Sequence, residues 1–62
     1  MQKIKLKEAR EKSGLSQEEL AERSQVSRTT ISLLENGKET TVKLRTLQRL
    51  AVVLNIALSD FF

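Results

Sequence analysis

The chain has 62 residues, no cysteine, no histidine and a net charge of +3, with an isoelectric point of about 9.7. A chain of this length forms one small domain, here taken as residues 1–62. The missing residue types exclude disulfides, Cys/His metal sites and catalysis by a histidine or a cysteine. The longest apolar run, residues 50–54, is far too short to cross a membrane, and the N-terminus lacks the apolar segment of a signal peptide. We therefore expect a soluble cytoplasmic protein.

The first predicted element is a helix from residue 3 or 5 to residue 13. Leu6 and Ala9 form its inner stripe. Gly14 ends it, because glycine is common just past a helix C-terminus. The alternation in KIKLK also fits a strand, so the start of this helix stays open.

A second helix is predicted over residues 17–23. Ser16 and Glu19 have the spacing of a capping box, and the acidic first turn suits the positive end of the helix dipole. Leu20 and Ala21 face inward. A short turn leads to Ser27, which is a good cap for a third helix, and two helices joined this way form a helix-turn-helix.

The third predicted helix, residues 28–35, opens with short polar side chains although threonine is a weak helix former. At 100° per residue, Ile31 and Leu34 point to the core and leave an acid-free face on the other side. An arginine there can bind a guanine edge, hydroxyls can donate or accept, and a leucine can contact a thymine methyl. The residues predicted to contact bases are Arg28, Thr29, Ser32 and Leu33. The alternative is a solvated surface without a function.

Contacts to the DNA backbone are expected from residues around the third helix. Gln17 opens the second helix, where free N–H groups and the dipole attract phosphate. The full predicted set is Gln17, Ser27, Asn36, Lys38, Thr40 and Lys43, with Arg45 beside it. Each of these side chains could equally be a surface solubiliser.

The fourth helix is predicted over residues 44–55, and a short fifth helix follows Ser59. Helical spacing gives the fourth helix an inner stripe of Leu44, Leu47, Leu50, Ala51 and Leu54. Further apolar residues exceed what a small monomer should expose, so we expect a two-fold interface. Its predicted residues are Val52, Ile56, Leu58, Phe61 and Phe62. The alternative is that all of these side chains are buried in the core.

The stretch LSQEELAERSQVSRTTISLLENGK, residues 15–38, resembles the phage-repressor and Cro type of helix-turn-helix domain, which includes the xenobiotic response element-like regulators. The tail LQRLAVVLNIALSDFF resembles the last two helices of the same family. The resemblance implies an all-α, compact five-helix, lambda-repressor-like domain with the helix-turn-helix at helices 2 and 3. It also implies a dimer that binds a palindromic double-stranded DNA operator and regulates transcription, usually as a repressor, in the cytoplasm of a bacterium or with a phage.

The resemblance further implies an ion pair between Arg10 and Glu35. The helical pattern suggests the same pair, because each residue lies four positions from an apolar residue of an inner stripe, Leu6 or Ile31. The alternative is that both charged groups extend to water.

Two positions depart from the pattern of the family. Gln25 stands in the turn where the family usually has glycine, and a positive φ there would strain it by about 1 kcal/mol. Lys43 precedes the fourth helix where a serine or threonine cap is usual, so Thr40 or Thr41 could cap an earlier start.

An enzyme is not expected, because no phosphate-binding glycine loop, paired carboxylates or activated serine is apparent. No cofactor, metal or small-molecule ligand is predicted. The rival interpretation is an antitoxin of a toxin–antitoxin pair, or a docking module, with a protein partner. The natural protein could also extend past Phe62 into a sensing domain.

Overall fold

The computed structural model describes residues 5–38 and 42–61. These ranges contain four α-helices, which are α1 (Leu6–Lys12), α2 (Gln17–Ser24), α3 (Arg28–Glu35) and α4 (Leu44–Leu54), followed by a 3-10 helix (Leu58–Phe61). No strand occurs within them. The predicted all-helical fold is confirmed, except that the fifth helix is a 3-10 helix that begins before Ser59.

The start of α1 differs from the prediction. Lys5 has a non-helical backbone, with φ −85° and ψ 48°, and serves as the N-cap. Its N–H donates to the Phe61 carbonyl at 2.9 Å, which ties the start of α1 to the 3-10 helix. A helix that includes Lys5 is therefore wrong, and a start at residue 3 lies outside the described residues.

The start of α2 has the predicted capping box. The Glu19 N–H donates to the Ser16 hydroxyl at 3.0 Å, and the Ser16 N–H donates to the Glu19 carboxylate at 2.9 Å. The hydrogen bond from the Ser16 backbone holds the pKa of Glu19 below its usual value. Two N–H groups that the helix cannot pair are thereby satisfied, which fixes where α2 begins.

The turn between α2 and α3 depends on a buried hydroxyl and a strained residue. Ser24 donates to the Leu20 carbonyl at 2.6 Å and accepts from the Val26 N–H at 3.3 Å. Gln25, the C-cap of α2, has φ 60° and ψ 29°, a left-handed conformation. Ser27 then caps α3 by accepting from the Thr30 N–H at 3.0 Å. The turn thus redirects the chain within a few residues, from the end of α2 to the start of α3, and the two helices pack against each other.

The core lies between the four helices, where α2 packs against both α3 and α4. Leu20, Ile31 and Leu50 are fully buried at its centre. Its buried apolar members are Leu6, Leu20, Val26, Ile31, Leu34, Leu47, Leu50, Ala51, Leu54 and Phe61. The prediction that Leu44 belongs to the inner stripe is wrong, because it lies in the first turn of α4 and is 59% exposed.

Lys43 is the N-cap of α4, and its side chain makes no capping hydrogen bond. The helix therefore begins at Leu44, as predicted, without the side-chain cap that serine or threonine would give. Thr40 and Thr41, the alternative caps, lie outside the described residues.

Replacing Gln25 with glycine should stabilise the domain. Glycine adopts φ 60° without the side-chain clash that strains glutamine, so we expect a gain of about 1 kcal/mol. For a domain of this size that corresponds to a rise in Tm of about 4–8 °C. Thermal unfolding of Gln25→Gly measures it.

The matched control is Gln48→Gly, at an exposed position inside α4. Glycine has no advantage there and should cost about 1 kcal/mol. A lower Tm for Gln25→Gly than for the parent chain would contradict the proposed strain.

Candidate nucleic-acid interface

The outward side of α3 has no acidic side chain between Arg28 and Leu34. Arg28 and Thr29 are exposed, and Ser32 and Leu33 are half-buried. We call these four residues the reading face. They line one shallow depression together with Gln17 from the start of α2. The fold therefore brings the predicted base-contacting residues next to one of the predicted phosphate contacts.

Thr30 does not belong to the reading face, although it lies in the same turn of α3. Its Oγ1 accepts from the Ser27 hydroxyl at 2.9 Å, and its side chain is half-buried. The Ser27 hydroxyl thus donates to Thr30 Oγ1 while it accepts from the Thr30 N–H. Ser27 acts as a cap, and its hydroxyl is already committed within the protein.

Arg10 and Glu35 form the predicted contact between α1 and the end of α3. Arg10 Nε lies 2.7 Å from Glu35 Oε2, and Arg10 Nη2 lies 3.1 Å from Glu35 Oε1. The side chains are only 12% and 2% exposed. The hydrogen bond with Glu35 raises the pKa of Arg10 above its usual value. Since a carboxylate at a helix C-terminus opposes the dipole, the guanidinium also offsets that cost.

Two further hydrogen bonds extend this ion pair, and the sequence pattern predicted neither. Arg10 Nη1 donates to the Leu15 carbonyl at 2.8 Å, and Gln17 Nε2 donates to Glu35 Oε1 at 3.0 Å. Arg10 therefore also holds the loop before α2, and Glu35 holds the first side chain of α2. The apolar spacing of the helices could locate the pair but not these polar neighbours.

The remaining predicted phosphate contacts lie after α3. Asn36 and Lys38 are exposed in the turn that follows the helix, and the Lys38 N–H donates to the Leu33 carbonyl at 2.9 Å. Lys43 is exposed at the start of α4. Thr40 lies outside the described residues.

The sequence pattern predicted Lys43 and Arg45 beside the phosphate contacts but missed Arg49, which extends them into a basic surface on α4. Lys43, Arg45 and Arg49 line a depression that has no acidic side chain in its wall. Arg45 and Arg49 recur at four-residue spacing on the side opposite to the buried stripe of α4, a periodicity that the sequence could have revealed.

Residues 6–61 match the model of the HTH_3 helix-turn-helix family. The chain belongs to the Cro/C1-type helix-turn-helix family. No curated protein matches the sequence.

Two solved structures resemble the domain closely. One is the SinR protein–SinI protein complex, with a TM-score of 0.88 and 26% identity over 92% of this chain and 55% of that chain. The other is SinR, the master regulator for biofilm formation, in complex with DNA, with a TM-score of 0.87 and 27% identity over 90% of this chain and 89% of that chain. This chain thus spans about half the length of the chain in the first structure.

The predicted interface residues of this helix-turn-helix domain differ in how far they are exposed. Val52 is 78% exposed on α4, and Ile56 and Leu58 are half-buried against the core. Phe61 is 0% exposed, so it is a core residue and its prediction as an interface residue is wrong for the single chain. Phe62 lies outside the described residues. Phe61 belongs to the 3-10 helix, which packs against α4, and its side chain joins the core.

None of the helices in the described ranges is long and apolar enough to span a bilayer. Within the same ranges, no three acidic side chains come together in a group that could hold a metal ion.

Arg10→Ala should strongly destabilise this helix-turn-helix domain. The substitution leaves the Glu35 carboxylate buried without its charged partner, so we expect a loss of about 3–5 kcal/mol in the free energy of unfolding. Urea denaturation followed by circular dichroism measures the loss.

The matched control is Arg23→Ala, which removes an exposed arginine from the last turn of α2 and should cost less than about 1 kcal/mol. A loss below about 0.5 kcal/mol for Arg10→Ala, the scale of an exposed pair, would contradict the assignment of a buried and coupled pair.

Proposed function

We propose that this chain is a sequence-specific double-stranded DNA-binding transcription regulator that places α3 in the major groove. The observation that carries the proposal is the reading face itself, which is acid-free and shares one depression with Gln17. Membership of the helix-turn-helix family and the resemblance to SinR in complex with DNA support it.

Each residue of the reading face has a chemical role in this proposal. Arg28 has the reach and the paired donors to bind guanine O6 and N7, the commonest specific contact in the major groove. Thr29 and Ser32 offer hydroxyls that donate or accept. Leu33 offers the apolar surface that fits a thymine methyl group. The short side chains at the centre of the face let the backbone of α3 approach the base edges.

Phosphate contacts fix the register of α3 in the groove. We assign them to Gln17 at the start of α2, to Asn36 and Lys38 after α3, and to Lys43 before α4. Thr40 joins this set on the sequence pattern alone. Ser27 can contribute only its backbone, because its hydroxyl caps α3.

We infer that the chain acts as a homodimer on a palindromic operator. A symmetric dimer sets its two reading faces about 34–36 Å apart, which is one turn of the duplex. The exposed Val52 and the half-buried Ile56 and Leu58 are apolar residues from the predicted set on which such an interface can form. Repression is the action that we assign, because a regulator bound at an operator excludes other proteins from that DNA. We infer that the chain acts on DNA in the cytoplasm of a bacterium or with a phage.

A protein-docking role, such as that of an antitoxin, is the second candidate function. The SinR structure in complex with SinI supports it, because a relative of this fold there carries a protein partner. The two functions differ in salt dependence. Binding of DNA weakens with salt by about 0.9 in log K per log unit of salt for each phosphate neutralised, whereas docking on an apolar surface does not.

Selection of the purified chain against a random duplex library tests the proposal. We expect the enriched duplexes to contain an inverted repeat whose half-site centres lie about one helical turn apart. In the same assay Arg28→Ala should lose preference at one position of each half-site, by about 1–3 kcal/mol.

Lys7→Ala is the matched control, since Lys7 is an exposed cation of α1 and should leave the enriched sequence unchanged. If no sequence is enriched and retention depends on salt alone, α3 does not read bases and the proposed function fails.

A further inference from the structure

The Glu35 carboxylate lies where α1, α2 and α3 meet. It accepts from Arg10 Nε at 2.7 Å, from Arg10 Nη2 at 3.1 Å and from Gln17 Nε2 at 3.0 Å. The Glu35 side chain is 2% exposed, whereas Gln17 is half-buried and borders the depression of the reading face. One carboxylate thus connects an inner arginine to a residue on the outer surface.

The bond to Glu35 decides which way the carboxamide of Gln17 faces. Because a carboxylate only accepts hydrogen bonds, it holds the amide nitrogen of Gln17 and not its carbonyl oxygen. Gln17 Nε2 carries a second N–H, which makes no hydrogen bond within residues 5–38 and 42–61 and can therefore donate to an acceptor outside the protein. Without Glu35, the carboxamide could rotate and present its carbonyl oxygen, which cannot bind a phosphate oxygen.

Arg10 makes this arrangement compatible with DNA. A bare carboxylate near a phosphate would repel it, and a buried one would be costly. The two donors of Arg10 pair with both oxygens of Glu35, so the carboxylate can orient Gln17 while its charge is balanced.

We propose that Glu35 and Arg10 are positioning residues for DNA binding, which act by holding the Gln17 carboxamide with an N–H toward a phosphate of the operator. The inference rests on the proposed function and adds a role to residues that do not belong to the reading face. It also explains why an acidic residue occupies the end of a helix that approaches a polyanion.

The direction in which Glu35→Gln changes the affinity for DNA distinguishes a positioning role from an effect of charge alone. Glu35→Gln removes a negative charge, and charge alone would therefore strengthen binding to DNA. Positioning requires the opposite result. The amide group that the substitution introduces can donate to the Gln17 carbonyl and turn the N–H groups of Gln17 away, so the contact to phosphate is lost. Glu8→Gln, at an exposed acid of α1, is the matched control and should leave affinity unchanged or raised.

A double-mutant cycle on DNA affinity tests the proposal. The probe is a duplex of the sequence enriched from the random library, and circular dichroism verifies that each variant is folded at the temperature of the assay. In the parent chain, Glu35→Gln should weaken binding about tenfold, the scale of one charge-assisted hydrogen bond. In a Gln17→Ala background, the same substitution should change affinity by less than about twofold, since no carboxamide is left to position.

The side-chain amide resonances of Gln17 give a second readout that a merely structural role would not move. In NMR spectra of the labelled chain, they should shift on binding of the duplex in the parent chain and in Glu8→Gln, but not in Glu35→Gln. The slope of log K against log salt should stay near its parent value in Gln17→Ala, because a neutral carboxamide neutralises no phosphate. Equal weakening by Glu35→Gln in both backgrounds, with Gln17 amide shifts like those of the parent chain, would overturn the inference, and so would unweakened binding in the parent background. If Glu35→Gln does not fold, Arg10→Lys takes its place in the cycle, because it keeps the charge but changes the donors that hold the carboxylate.

The two proposals fail in different ways. A parent chain that enriches no sequence from the random library overturns the proposed function. A parent chain that binds, and that Gln17→Ala weakens, leaves the proposed function standing while the cycle decides the role of Glu35 and Arg10.

Discussion

The Arg10–Glu35 pair fixes α1 against the end of α3 in a domain whose apolar core is small. A chain of 62 residues has a small core, and this one has no cysteine with which to reinforce it. The nearly buried pair joins α1 to the end of α3, and its outer hydrogen bonds reach the Leu15 carbonyl and the Gln17 side chain. The position of α3 relative to the start of α2 therefore depends on polar contacts as well as on apolar packing. A shift of either helix would break several hydrogen bonds at once.

The turn before α3 and the first turns of α3 contain residues that lower the intrinsic stability of the domain. Threonine and serine weaken the first turns of α3, and Gln25 adopts a left-handed conformation that glycine would tolerate better. Local contacts offset part of this cost. Ser27 caps α3, Ser24 binds the backbone on both sides of the turn, and Ile31 and Leu34 bury the inner side of the helix. The result is a helix whose outer side is free to serve binding.

Much of this fold could be predicted from the sequence, because helix boundaries depend on local chemistry. The bounds of α3 follow from Ser27 and from the apolar residues Ile31 and Leu34, and the capping box at Ser16 fixes the start of α2. Contacts between residues that are distant in sequence were harder to predict. Phe61 was assigned to an interface because hydrophobicity does not distinguish a residue that closes a core from one that binds a partner.

In the candidate site, too, local features were easier to predict from the sequence than contacts between helices. The reading face follows from the helical periodicity of residues that are adjacent in sequence, whereas the bond between Gln17 and Glu35 joins two helices and has no signature in spacing. Periodicity was misleading even within one helix, since Leu44 has the spacing of the inner stripe of α4 but lies in its first turn and is mostly exposed.

The central claim is that the reading face of α3, held beside Gln17 by the Arg10–Glu35 pair, is the surface that binds DNA. The most direct test is titration of the nitrogen-15-labelled chain with a duplex two helical turns long, followed by the amide resonances in two-dimensional NMR spectra. We predict that the largest shifts cluster at Gln17, along α3 from Arg28 to Leu33, and at Asn36 and Lys38. Shifts confined to α1 or to the outer side of α4 around Val52, with α3 unaffected, would contradict the account.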